Sequence, residues 1–158
     1  MVIFIATLTL LFLAVYLAFW LGESPEKAAA ATILAQVFVN VVGHQTLPFH
    51  YAKIDPVSSV ADVAGLIGFC GIALFARRIW PLWVSSLQLI AVLAHVARAM
   101  DIHIHPVAYA VMKWGPSDLI PVLLILGSIN QWRMRRRGVN SRPWRNWSGP
   151  LNQSRQID

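Results

Sequence analysis

Val2 to Gly22 is a run of 21 residues with no charged side chain, interrupted by only two threonines, Thr7 and Thr9. At about 1.5 Å per residue such a run crosses a hydrocarbon core of about 30 Å, so it reads as a transmembrane helix. A cleaved signal peptide needs a basic n-region and a shorter apolar stretch of about 7–15 residues, and neither is present. Everything that follows in the chain has to be compatible with lipid.

The composition agrees. Hydrophobic residues make up 57% of the 158, charged residues 13%, and the mean hydropathy is +0.58, whereas soluble domains carry about 25% charged residues. The expected fold class is all-α, an integral membrane bundle of five transmembrane helices plus a short interfacial helix. After the break at Glu23 to Lys27, a second helix is expected from about Ala28 to Leu47. Pro48 to Lys53 reads as a short loop, and Asp55-Pro56 as an N-cap followed by proline at the first helical position. A third helix then runs to Arg78, and a fourth from Trp80 to Arg98. Asp101 to His105 is polar. Pro106 to Trp114 has the mixed character of a helix lying in the interface. Gly115-Pro116-Ser117 reads as a reset, with Ser117 capping a fifth span from Asp118 to about Arg133. Residues 1–132 form the expected five-helix domain and 133–158 a basic cytoplasmic tail, disordered unless something holds it.

The formal charge of +6 raises the question of a nucleic-acid partner, and its location answers it. The six Lys/Arg and six Asp/Glu of residues 1–132 cancel, so the seven tail arginines and Asp158 carry the whole excess. Such a tail serves as a positive-inside signal and, through Arg133, Arg135, Arg136 and Arg137, as a contact for anionic lipid or a partner protein. Nucleic acid is an unneeded partner. With the N-terminus outside, ten Lys/Arg fall on the cytoplasmic side and three outside, which sets the expected orientation.

A single cysteine, Cys70, excludes an internal disulfide and a cysteine-based zinc cluster. Walker, G-x-G-x-x-G, H-E-x-x-H and G-x-S-x-G motifs are missing, so soluble enzyme classes fit poorly and a non-enzymatic role is favoured. Polar residues inside the spans are therefore the informative ones. Thr32, Gln36, Asn40 and His44 recur every four residues on helix two, and Ser85, Gln88 and His95 share one side of helix four. The two stripes are expected to face each other, with Gln36 and Gln88 at one depth. Gln36, Asn40 and Gln88 read as interhelical hydrogen-bonding contacts. Counting residues from the cytoplasmic ends brings His44, Asp62, His95 and Asp118 to one outer layer. That layer has three readings: ordinary polar packing near helix ends, a divalent metal site or proton relay using all four, or a tetrapyrrole (heme or chlorophyll-type pigment) held between His44 and His95 with Gly43 leaving room for the macrocycle. Ala61-x-x-x-Gly65 and Ala64-x-x-x-Gly68 predict close backbone approach by helix three. Helix one, lacking a polar stripe, is expected at the edge.

From Trp80 to Met112 the pattern WPLWVSSLQLIAVLAHVARAM followed by HPVAYAVM resembles uncharacterised small multi-pass membrane proteins of alphaproteobacteria. The resemblance implies a bacterial inner-membrane location and supplies no activity or ligand. The expected function is an accessory or assembly subunit of a larger membrane complex, respiratory or photosynthetic complexes being examples. The alternatives are a heme-, pigment- or metal-binding redox or proton-transfer subunit, and a small transporter or channel.

Overall fold

The computed structural model describes residues 2–46, 55–100, 105–138 and 143–145. Five helices follow one another: α1 Val2–Leu21, α2 Ser24–Thr46, α3 Pro56–Phe75, α4 Trp80–Ala99 and α5 Pro106–Arg136. Three of them, α2, α3 and α4, are long and apolar enough to cross a membrane, and α1 carries a shorter apolar stretch, Ile5–Leu21. The molecule is an all-α bundle of membrane-protein character.

The helix starts follow from local chemistry. α2 begins at Ser24, four residues before the expected start, because Glu26 reaches back to accept the N–H of Glu23 at 3.0 Å. That is the carboxyl half of a capping box, and it satisfies a donor that would otherwise be orphaned at the helix end. α3 begins as its sequence predicts: Asp55 is extended and accepts the N–H of Ser58 at 3.2 Å, with Pro56 next. It ends at Phe75, short of Arg78, because Ala76 turns to an extended conformation.

α5 corrects the expected interfacial helix. The chain does not reset at Gly115-Pro116-Ser117; 31 residues form one helix, about 46 Å long. Pro116 and Pro121 each remove one helical N–H, but both are buried against neighbouring helices. Tertiary packing thus carries the helix across a local break signal. Ser117 accordingly lies inside the helix and not at its start.

The helices close a ring in which α1 packs on α2, α2 on α3, α3 on α4, α4 on α5 and α5 back on α1, with α2 also touching α5. Alanines and larger apolar residues share its centre. Ala14, Ala18, Ala29 and Ala30 join Ile33, Phe69, Ile72, Val84, Ile120 and Leu124, while Phe12, Tyr16, Phe19 and Trp20 of α1 point outward. Large apolar side chains outside and alanine inside is the arrangement expected when the surrounding solvent is hydrocarbon and close backbone approach supplies the packing. Among the described helices α1 packs on α5 and α2, two neighbours like α3 and α4, and its Ala14 and Ala18 are fully buried. It is therefore a member of the ring with an outer face, and not the edge helix that the sequence predicts.

Candidate functional site

α3 lies between the two polar stripes. Between α2 and α4 the described contact is at one end of the bundle, where Trp80 meets Glu26. Along the stripes the two helices pack on α3 instead, so among the described residues Gln36 and Gln88 form no amide pair. Both reach α3 at the same level from opposite sides: Gln36 Nε2 donates to the Ala61 carbonyl (3.3 Å), and Gln88 Nε2 donates to the carbonyl (3.2 Å) and Oδ1 (3.0 Å) of Asp62. Gly65 is what lets α2 come so close, because a β-carbon there would strike the Gln36 amide; Gly68 makes the same room for Thr32. Asn40 accepts from the Ser58 hydroxyl at 3.1 Å and donates to the Gln36 carbonyl at 3.0 Å. Gln36, Asn40 and Gln88 are therefore interhelical contacts.

The four residues of the expected outer layer separate into three places. His95, 5% exposed, sets Nε2 3.0 Å from Asp62 Oδ2. Gln88 holds the other carboxyl oxygen, so α4 grips Asp62 at both ends. The Nδ1 of His95 is buried and has no hydrogen-bond partner among the described residues. His44 instead pairs with Asp55, the α3 cap, at 3.1 Å, and its Nδ1 lies 2.8 Å from the Asn40 carbonyl. Asp55 is partly buried, which opposes ionisation. The Ser58 hydroxyl and N–H, and then His44, outweigh that and hold its carboxyl below the usual carboxylate range. Asp118 is exposed and accepts from the Thr7 hydroxyl at 2.7 Å, tying α5 to α1.

These positions do not assemble a metal site from His44, Asp62, His95 and Asp118, and among the described residues no three His, Cys, Asp or Glu side chains gather. The opposed-histidine slot fails too. α3 stands between His44 and His95, and the space beside Gly43 is filled by Val57. What remains is an imidazole oriented by a carboxylate with its second nitrogen buried, an arrangement that fixes a tautomer and leaves one basic nitrogen. His105 caps α5 by accepting the Val107 N–H at 3.4 Å. His50 and His103 lie outside the described residues.

The opposite end holds a cluster that sequence reasoning missed. Glu26 is 0% exposed, and its second oxygen accepts from the Trp80 indole N–H at 3.2 Å. Glu23 accepts from Arg78 at 3.0 Å and lies 3.7 Å from Arg135. Ser128 and Gln131 of α5 are buried, and the Ser128 hydroxyl, Gln131 Oε1 and Arg78 Nε have no hydrogen-bond partner among the described residues. The readable signal is Glu23-Ser-Pro-Glu26, a capping-box spacing beside a helix-starting proline, where charge alone reads as a polar break.

The tail is not wholly separate from the bundle. α5 continues past residue 132 to Arg136, and Pro143 to Arg145 pairs with Phe75 to Arg77 through an isolated antiparallel bridge, Ala76 opposite Trp144. Trp144 packs against the core. The tail is expected to be disordered unless something holds it, and for Pro143 to Arg145 the bridge to Phe75–Arg77 is that hold. Arg133, Arg135, Arg136 and Arg137 are exposed, and Arg136 lies 4.0 Å over the Trp132 ring.

The fold and its polar pairs define a small helical bundle with candidate membrane spans and helix-to-helix polar bridges. Comparisons with protein-family models, curated proteins and solved structures find no match.

Proposed function

We propose that the chain is a five-span protein of a bacterial inner membrane, N-terminus outside and C-terminus cytoplasmic, acting as an accessory or assembly subunit of a larger membrane complex. The observation that carries this reading is how the span polar groups are used: Gln36, Asn40, Gln88, Asp62 and Glu26 all bond to neighbouring helices of the same chain. Side chains so engaged stabilise a scaffold and are not displayed along a transport path. The apolar outer face of α1, with Phe12, Tyr16 and Trp20 exposed, suits a lipid or subunit contact. Affinity purification from a native-level expression strain tests the role: a reproducible membrane complex at fixed stoichiometry is expected, and a chain recovered alone under mild detergent overturns it. A cytoplasm-active reporter fused after Asp158 should be active; silence refutes the orientation.

A second reading, a proton-transfer or cofactor subunit, is favoured by the buried free nitrogen of His95 beside Asp62. Visible absorbance and metal content of the purified chain separate the two.

A further inference from the structure

The end of the bundle that holds Glu23 and Arg78 gathers arginines from two parts of the chain. In the bridge, the Arg77 N–H donates to the Pro143 carbonyl at 3.0 Å, and the Arg145 N–H to the Phe75 carbonyl at 2.8 Å. Side chains alternate in direction along extended backbone. Ala76 is buried and Trp144 packs on the core, so the alternation turns Arg77 and Arg145 outward, and both are exposed. The last turns of α5 bring exposed Arg133, Arg135, Arg136 and Arg137 to the same end. The described carboxyls there are occupied: Glu26 is buried against Trp80, and Glu23 faces Arg78 and Arg135. The surface charge is therefore left positive. Ile79, Leu82 and Trp83, in and before the first turn of α4, lie exposed at this end, an apolar and aromatic border next to the basic group.

We infer that this end is a binding surface for anionic phospholipid headgroups, in which the bridge adds Arg77 and Arg145 to the arginines of α5. The inference rests on the membrane reading above. Guanidinium groups match phosphate oxygens in geometry and charge, and basic groups beside an aromatic rim are the composition of a membrane–water interface. The apolar rim selects lipid over free phosphate, because acyl chains can cover Ile79, Leu82 and Trp83 and an inorganic anion cannot.

The test is lipid selectivity of the full chain in phosphatidylcholine vesicles, read by electron paramagnetic resonance with spin-labelled phosphatidylglycerol against spin-labelled phosphatidylcholine. The full chain should prefer phosphatidylglycerol, and Arg77→Gln with Arg145→Gln should lower the preference by about fivefold per arginine. Arg77→Lys with Arg145→Lys should keep most of it, and salt of about 1 M should abolish it. Unchanged selectivity in the glutamine variant, or displacement of the labelled lipid by inorganic phosphate at matched ionic strength, overturns the inference. A chain that floats with neutral vesicles but shows no preference refutes the lipid surface alone; a chain that does not float refutes the membrane reading itself.

Discussion

Trp80→Phe isolates the buried Glu26 contact, and its cost follows from the geometry. The carboxyl of Glu26 is fully buried and held by two donors, the Trp80 indole at 3.2 Å and the Glu23 N–H at 3.0 Å. Phenylalanine keeps an aromatic ring but removes the first donor, and a buried acceptor left without its partner costs about 1–3 kcal/mol. The smaller ring also vacates space beside Gly127, where an added β-carbon would stand 3.0 Å from the indole nitrogen; that truncation adds about 1 kcal/mol. The polar contribution is the larger, so a total of about 2–4 kcal/mol is expected. Reversible unfolding in mixed micelles, followed by circular dichroism, measures it. Trp83→Phe on the same helix is the control: Trp83 is 64% exposed, and the change should stay within about 0.5 kcal/mol. In a Glu26→Leu background Trp80→Phe should cost only its packing share, giving a coupling of about 1–3 kcal/mol. Coupling below about 0.5 kcal/mol, or equal losses from the two tryptophans, would show that the contact contributes nothing.

Gly43→Ala should destabilise by about 1–3 kcal/mol, since the new methyl meets the stiff, branched Val57, and Val57→Ala should recover part of it. Gly71→Ala, which enters open space in the same bundle, should instead gain up to about 1 kcal/mol in the same micelle unfolding assay. Asp55 has its folded pKa lowered, after burial is opposed, by Ser58 and His44. Its contribution is therefore complete above the unfolded value of about 3.9 and is lost as pH falls through the lower folded value. Thermal denaturation between roughly pH 2 and 6 should show an acid limb that Asp55→Asn lacks. Trp144→Ala should cost roughly 1–3 kcal/mol because the ring packs on the core, whereas Arg145→Gln should leave the melting temperature unchanged; equal effects would mean that the bridge is not formed in solution.

The clearest agreement between sequence and structure concerns elements governed by neighbours in the chain. The uncharged run at the N-terminus became α1, and Asp55-Pro56 capped and opened α3. Gly65 and Gly68 lie under Gln36 and Thr32, as the small-residue spacing on α3 required. At Gly115-Pro116-Ser117 local break signals compete with packing: Pro116 and Pro121 are buried in a helix that packs on α1, α4 and α2, and α5 runs on unbroken. Glu26 was overlooked because charge beside a proline reads as solvent-facing loop, and nothing local announces that Trp80, 54 positions on, supplies its donor.

By itself the sequence determined the all-α class, the apolar segments and the shared level of Gln36 and Gln88, since rise per residue is a property of one helix. It did not determine the unbroken course of α5 or the depth of Asp62, which lies at the level of the glutamines. Gln36 and Gln88 do arrive at one level, on the adjoining residues Ala61 and Asp62. Only the tertiary structure decided which helix stands opposite each stripe. That choice depends on the rotation and neighbour order of whole helices, and it inserted α3 between α2 and α4. The same choice divided one expected layer into His95–Asp62, His44–Asp55 and Asp118–Thr7, because a carboxyl pairs with the donor that packing brings within about 3 Å, whatever residues share its depth.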